Sequence, residues 1–257
     1  MGYIFFICSI FKTSTFTSNN CAVVACLLSS SHLPLVVAID SATSGAINAT
    51  NVMALTGSAS NANSALTSAG LTNFDGDEAV TLTDTSLAAA TLNTLDGNTT
   101  GAVDAATVTT ITGTAVAIVT VAQSTSITTA ANYAATVDSD TANVAQALIL
   151  DADTIGVVTA TITESDLATL LALTDANTNN ALTIIVTDPS ADAADLNSVA
   201  TVTRIAIDAT AVRTITGTAA AIVIAAQSDG ITTAANYAAT VDSGTATVAQ
   251  ALILVTV

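Results

Sequence analysis

Carboxylates are the side chains of this chain whose spacing could support chemistry. Acids lie close together at three places: Asp75 with Asp77 and Glu78, Asp138 with Asp140, and Asp151 with Asp153. Two carboxylates that flank a sugar can hydrolyse a glycosidic bond. Sugar sites generally also use aromatic platforms, and from residue 39 onward the aromatic residues are only Phe74, Tyr133 and Tyr237. A carbohydrate-active protein is therefore one of the less favoured alternatives.

Calcium is the cofactor that these acids suggest, and the candidates for weak binding are Asp138, Asp140, Asp151 and Asp153. Ca²⁺ takes six to eight oxygen ligands, but the sequence lacks an Asp-rich loop closed by Glu. The stretch around Asp140 recurs 104 residues later, where Asp242 retains Asp138 but Gly244 replaces Asp140. Such a replacement fits helix capping better than metal ligation. Capping is thus the favoured role of these acids, and calcium binding is the alternative.

Nucleophilic catalysis needs a base that accepts a proton near neutral pH, and that base is usually His. The single His of the chain is His32, which lies in a divergent leader, residues 1–38. The sequence therefore predicts that the protein is not an enzyme. Threonines spaced two apart, as at Thr159 and Thr161, raise ice binding as a further alternative, although Thr is also an ordinary residue of exposed strands.

The elements that must position these residues belong to a repeat. Residues 110–150 and 214–254 are identical at 34 of 41 positions, which sets a long period of 104 residues. Self-similarity at a fixed period is typical of stacked repeat architectures. The candidate sites must therefore be interpreted as parts of repeated elements.

A shorter period comes from aliphatic anchors, each followed by Thr or Asp and a small polar cluster. The anchors recur throughout the repeat: Leu55, Leu82, Ile111, Val137, Ile162, Val186, Ile215 and Val241. They define a module of about 26 residues, which cannot bury an apolar face alone and must stack on its neighbours. The prediction is a repeat solenoid of about eight coils, α/β or β in class, with parallel strands joined by short helices or turns. The five anchors from Ile111 to Ile215 should be buried.

Local patterns predict the parts of each module. Alternating Thr and β-branched residues, as in residues 157–163, predict a half-buried strand. The polar cluster after the strand predicts a helix N-cap, as at Asp188-Pro189-Ser190. Apolar-periodic runs such as residues 191–199 predict helices of two to three turns. A second aliphatic-then-polar motif, as at residues 103–106, predicts that each coil turns twice.

Charge and composition limit the classes of partner that the chain can bind and the residue types that can form its core. The net charge is −17, and the strong bases are Lys12, Arg204 and Arg213. Nucleic-acid binding draws on clustered Lys and Arg, so we expect neither nucleic acid nor an anionic membrane surface as a partner. Hydrophobic residues make up 51% of the chain but aromatic residues only 3%. The core must then consist of Ala, Val, Ile and Leu.

Residues 1–38 form an apolar leader that differs from the repeat region, residues 39–257. Its apolar runs, residues 3–11 and 21–28, are shorter than the roughly 20 residues of a membrane-spanning helix. Lys12 follows the first run, whereas a secretory signal has its basic residues before the apolar core. Two interpretations stay open: an export signal or lipid anchor at Cys26, or a start codon assigned too far upstream.

The motifs ITTAANYAA (residues 127–135), VTATITESDLATL (158–170) and TDTSLAAATLNTL (83–95) resemble the Ala/Thr/Asp-rich tandem repeats of very large secreted or surface proteins of marine bacteria, including cyanobacteria. The resemblance spans roughly residues 39–257. It implies an extracellular matrix, surface-layer or adhesin-like role, with no functional residue to transfer.

The expected function is therefore a non-enzymatic structural or adhesive repeat segment of a secreted or cell-surface protein. A calcium-stabilised extracellular module is the alternative. Residues 251–257 are apolar except Thr256, which predicts an open coil end with unpaired strand edges. The expected partners are accordingly further copies of the chain or adjacent repeats of a longer one.

Overall fold

The computed structural model describes residues 37–38, 40–41, 46–50 and 52–256. The predicted leader lies almost wholly outside these residues, and so does His32. The described part is an α/β protein in which every strand pairing is parallel.

The strands are short and the helices have one to three turns. The sixteen named strands are β1 Ile47–Asn48, β2 Ala54–Gly57, β3 Leu71–Thr72, β4 Ala79–Leu82, β5 Ser86–Ala88, β6 Val103–Ala105, β7 Thr110–Gly113, β8 Ile127–Thr129, β9 Ala134–Val137, β10 Val158–Thr161, β11 Ala181–Thr183, β12 Ser190–Asp192, β13 Ile207–Ala209, β14 Thr214–Thr218, β15 Ile231–Thr233 and β16 Ala238–Ser243. Eight helices lie within residues 52–256: α1 Ala59–Leu66, α2 Ala89–Gly97, α3 Ala115–Ala122, α4 Val144–Asp153, α5 Leu167–Leu170, α6 Ala193–Ala200, α7 Ala219–Gln227 and α8 Val248–Thr256. We call one strand–helix passage of the chain a coil.

Strands from successive coils pair side by side. The sheets have the orders β2-β4-β6-β8, β11-β10-β9-β7-β5, β12-β14-β16, β1-β3 and β13-β15. Successive helices pack against each other, as α2 does on α3 and α6 on α7. The second aliphatic motif forms a further strand in most coils, for example β6 and β13, as predicted, but the chain between α4 and α5 contains the single named strand β10.

Helices start where the polar clusters end. Ser58, Thr114 and Thr218 accept a hydrogen bond from a backbone N–H in the first turn of the helix that follows each of them. Asn143 and Gln146 form a full capping box on α4. These caps satisfy N–H groups that have no partner inside a helix.

The prediction for Asp188-Pro189-Ser190 is wrong, because α6 begins later, at Ala193. Its N-cap is Asp192, whose carboxylate accepts from the backbone N–H groups of Ala194 and Asp195. Ser190 belongs instead to a strand, β12. Pro189 therefore precedes a strand, and its missing N–H is not needed in that ladder.

The core is one cluster of small and branched aliphatic side chains. Most helices bury a stripe spaced three residues apart, such as Ala115, Ile118 and Val121 of α3. All five anchors from Ile111 to Ile215 are buried, as predicted. The apolar burial that holds each short helix comes from the neighbouring strands and helices, since helices of this length are marginal in isolation.

The strand ladders repeat at a slightly shorter interval than the predicted module. Ile111 pairs with Ala135, and Gly113 pairs with Val137, so that one coil in this ladder takes about 24 residues. The anchors Ile111 and Val137 are therefore not partners, because one is displaced by two positions relative to the other. This displacement leaves both on the same face of the strand, since side chains alternate with period two.

Candidate functional site

The four calcium candidates lie at opposite ends of one helix. Asp138 and Asp140 precede α4, and Asp151 and Asp153 are in its last turn. At about 1.5 Å per residue, the helix separates its first residue from Asp151 by roughly 10 Å. Across the described part of the chain, no three His, Cys, Asp or Glu side chains gather in a way that could hold a metal ion.

Asp138 and Asp140 have different surroundings although both are exposed. The Asp140 carboxylate accepts a hydrogen bond of 2.9 Å from the backbone N–H of Ala115, the first residue of α3 in the preceding coil. The Asp138 carboxylate accepts one of 3.0 Å from its neighbour Ser139. Asp140 therefore caps a helix of another coil, whereas Asp138 has only a local contact.

Asp151 is buried and holds a loop in place. One carboxylate oxygen accepts from the Thr174 hydroxyl at 3.0 Å and from the Ala176 N–H at 3.3 Å. The other oxygen accepts from the side-chain amide of Asn180 at 2.9 Å. These donors satisfy the buried charge and tie the loop after α5 to the end of α4.

Asp153 accepts a hydrogen bond of 2.8 Å from the Tyr133 hydroxyl. Tyr133 is fully buried, so it cannot serve as a platform for a sugar. Burial, and then the hydrogen bond and negative charge of Asp153, raise the pKa of Tyr133 far above its usual value. Each of the four candidate acids thus has a protein donor in this structure, and calcium binding at any of them stays a prediction.

The remaining acid group forms a tight turn between β3 and β4. Glu78 is completely buried, and one of its carboxylate oxygens accepts from the Asp75 N–H at 3.1 Å. The other oxygen has no hydrogen-bond partner among the described residues. Hydrogen bonding to the Asp75 side chain and the charge of Asp75 raise the pKa of Asp77. A buried Glu78 gives this group no open cleft in which two carboxylates could flank a sugar.

A row of carboxylates that the sequence analysis did not identify runs along the helix N-termini. Each accepts a hydrogen bond from the first backbone N–H of the helix one coil earlier. The four pairs are Asp84 with Ala59 at 2.7 Å, Asp140 with Ala115 at 2.9 Å, Glu164 with Val144 at 3.0 Å, and Asp188 with Leu167 at 2.7 Å. We call these contacts the cross-coil caps. They place negative charge at the positive end of a helix while joining adjacent coils.

The cross-coil caps have a sequence signal, which is an acid 20 to 25 residues after the first residue of a helix. At other junctions a glycine takes the equivalent place. Gly113 lies over Ala89, the first residue of α2, and Gly217 lies over Ala193, the first residue of α6. The spacing could have been found only after the helix starts were known.

Buried threonines join coils at the opposite end of the helices. The Thr154 hydroxyl donates to the Tyr133 carbonyl at 2.6 Å and accepts from the Gly156 N–H at 3.0 Å. Thr99 and Thr203 make the same pair of contacts in their own coils. Polar side chains at both helix ends therefore bind the backbone of an adjacent coil.

Threonine rows are short on the strand faces. Thr112, Thr136 and Thr159 are aligned in successive strands, and Ala88 and Ala181 stand at either end of this row. In the other long sheet Asp104 separates Thr81 from Thr128. Neither array extends far enough to make a broad hydroxyl lattice of the kind the ice-binding alternative requires.

A pocket of about 230 Å³ opens where α5 is shortened to a single turn. It is lined by Leu170, Leu171, Leu173, Ser198, Val199, Thr201 and Val202. Its polar groups are hydroxyls, and this lining includes no acid, base or thiol. The pocket offers apolar surface and no group suited to proton transfer.

No protein-family model, no curated protein and no solved structure matches this chain. Among the described residues, none of the helices combines the length and apolar character needed to cross a bilayer.

Proposed function

We propose that residues 39–257 form a single solenoid and that the protein is a non-enzymatic structural or adhesive repeat segment. The eight helices within residues 52–256, one for each coil, and strands about 4.8 Å apart give a stack roughly 35 to 40 Å long. The proposed setting is a secreted or cell-surface protein of the Ala/Thr/Asp-rich repeat type. We propose further copies of the chain or adjacent repeats as its partners. We do not propose nucleic acid or an anionic membrane surface as a partner.

One observation carries the proposal: the candidate acids take part in contacts that hold the fold together, and several of these contacts join adjacent coils. The cross-coil caps engage four acids, and Asp151 and Asp153 contact neighbouring loops and Tyr133. Such contacts set the spacing of coils and do not create an open reactive centre. This pattern of contacts supports a structural role, in which the protein acts through its length and shape.

The acidic surface fits the same role. The net charge of −17 favours dispersion of the chain in water. The low content of bases leaves no patch able to neutralise phosphates. This charge favours an extended segment that spaces other modules.

Calorimetric unfolding with excess Ca²⁺ and with a chelator tests the proposal against a calcium-stabilised module. A ligand at 100 times its Kd stabilises the folded state by about 2.7 kcal/mol, or roughly 5 to 10 °C in Tm for a chain of this size. We expect the two unfolding curves to coincide within about 1 °C, because helix N–H groups and hydroxyls already satisfy the candidate acids.

The control is Asp138→Ala with Asp153→Ala in the same protein, which removes two candidate ligands. If Ca²⁺ raises Tm by several degrees in the parent chain and this double variant abolishes the rise, the calcium-stabilised module replaces the structural proposal. If Ca²⁺ has no effect on either protein, the proposal stands.

A further inference from the structure

The last described coil has an exposed face whose counterpart in the first copy is covered. This terminal face consists of β16 and the outward side of α8. Val144 is 6% exposed, but its counterpart Val248 is 88% exposed. Val137 is 7% exposed and its counterpart Val241 is 37% exposed. Since the two copies are nearly identical in sequence, the difference lies in what covers them.

In the first copy the cover is the next coil, residues 154–170. Its strand β10 pairs with β9, so that Val158 lies opposite Ala135. Ala142 forms a bridge with Ile162. The Glu164 carboxylate then accepts from the Val144 N–H at 3.0 Å. Among the described residues no strand pairs with the outer edge of β16.

The covering segment has a definite sequence requirement. Thr154 donates to the Tyr133 carbonyl at 2.6 Å. Gly156 lies so close that a Cβ there would be 2.1 Å from the same carbonyl oxygen. Alternate residues of the segment then face the core or the helix end, which gives the pattern Thr-x-Gly-x-Val-x-Ala-x-Ile-x-Glu over residues 154–164.

We propose that the terminal face binds a strand–helix segment of this pattern carried by another polypeptide. The face repeats Tyr133, Ala135 and Val144 as Tyr237, Ala239 and Val248, so it offers the same ladder edge, glycine contact and helix N–H. Addition of a parallel strand to an exposed sheet edge is an established mode of recognition. The partner is therefore an acidic segment of the same repeat type.

Two other occupants fit less well. In a folded second copy, β10 is already paired on both edges, by β9 and β11. Residues 1–36 contain a single glycine, Gly2, and no acid, so they cannot supply the glycine contact and the helix cap together.

The inference rests on the proposed repeat architecture, but a different result overturns it. Loss of folding after removal of one long period would refute the architecture. A terminal face that stays open in a folded chain would refute only the binding of the segment.

The experiment adds a synthetic peptide of residues 154–173 to the full chain and measures amide hydrogen exchange in β16. We expect exchange of the amides of residues 239–241 to slow at least tenfold at millimolar peptide. A peptide carrying Gly156→Val should have no effect, and one carrying Thr161→Val, at an exposed position, should act like the parent. The same three segments are also fused directly after Val257, which removes most of the entropy of association.

Slowed exchange in either format, abolished by Gly156→Val and retained with Thr161→Val, supports the proposal. Unchanged exchange in the fused protein, or equal effects of the parent and Gly156→Val segments, overturns it. Slow exchange in the chain alone identifies another occupant and also overturns it. That occupant is a second copy if the slowing depends on protein concentration, and the leader if removal of residues 1–36 abolishes it.

Discussion

Asp138 and Asp140 are two positions apart in one polar cluster, yet only Asp140 caps a helix of another coil. We expect Asp140→Ala to lower the free energy of unfolding by about 0.5–2 kcal/mol, the usual effect of losing a helix cap. Asp138→Ala should change it by less than about 0.5 kcal/mol. Denaturant unfolding of both variants measures the difference.

Equal changes in the two variants would show that the hydrogen bond from Ala115 to Asp140 adds no stability. Removing one negative charge lessens self-repulsion equally in both, so that effect cancels in the comparison. The two sites differ in that Asp140 binds the Ala115 N–H of another coil, whereas Asp138 binds its neighbour Ser139. The pair therefore isolates the cross-coil cap.

Tyr133 should make the protein sensitive to alkali. Because its pKa is raised by burial, Tyr133 keeps its proton in the folded state, while tyrosine in the unfolded chain ionises near about pH 10. Its contribution to stability is complete below about pH 10 and is lost as pH rises further. We expect Tyr133→Phe to flatten the fall of stability above pH 10 by about 1.4 kcal/mol per pH unit, measured by urea unfolding at each pH.

Tyr237 is the matched control, because it occupies the equivalent position in the coil with the terminal face. Its pKa is also raised by burial, but it is only partly buried. Tyr237→Phe should therefore flatten the same curve less than Tyr133→Phe. Identical curves for the two variants would mean that the next coil does not bury Tyr133.

At the residue scale, the sequence predicted the helix caps that lie next to their helix. It did not predict the caps that lie 20 to 25 residues away from it. Thr114 and Asn143 cap helices that begin at the next residue, so propensity rules identify them. Glu164 caps a helix that begins 20 residues earlier, and no local pattern contains that distance. Of the four acids predicted to cap helices, Asp140 does so, but its helix is α3 in the preceding coil. The prediction is wrong for Asp138, Asp151 and Asp153, which bind Ser139, the loop after α5 and the Tyr133 hydroxyl instead.

At the scale of elements, the coil register was the main error. Strand side chains repeat with period two, so an aliphatic residue can move by two positions and still face the core. The anchors Leu82 and Ile111 lie in different sheets, which explains why they are further apart in the chain than Ile111 and Val137, whose strands pair. Strand β4 pairs with β2 on one side and with β6 on the other. The spacing of hydrophobic residues alone does not reveal that these strands form a sheet separate from that of β7 and β9.

The two copies of α4 provide an internal comparison of covered and open coils. Val144→Asp places a charge where the next coil excludes water, and we expect a loss of about 3–5 kcal/mol in stability. Val248→Asp places the same charge on the exposed terminal face and should change stability by less than about 0.5 kcal/mol. Thermal and urea unfolding followed by circular dichroism measure both effects.

A large loss from Val248→Asp in dilute protein would contradict the open terminal face. Dependence of that loss on protein concentration would further indicate that copies of the chain cover Val248. A small loss from Val144→Asp would contradict the burial of α4 by the coil that follows it.

At the scale of the whole molecule, we propose that coils are interchangeable units of one stack. Composition allowed this to be predicted: with 3% aromatic residues, a thin core of Ala, Val, Ile and Leu suits narrow repeated layers. The 104-residue period contains four helices, so its ends fall at equivalent points of the stack. A globular enzyme would not tolerate removal of such a length.

Deletion of residues 110–213, which joins Thr109 to Thr214 in register, tests this proposal most directly. Small-angle scattering and circular dichroism should show a folded protein shorter by about 19 Å, the thickness of four coils at about 4.8 Å each. Deletion of residues 110–201, which joins the chain out of register, should unfold the coils at the junction. An in-register deletion that unfolds like the out-of-register one, or that folds without shortening, would contradict a stack of interchangeable coils.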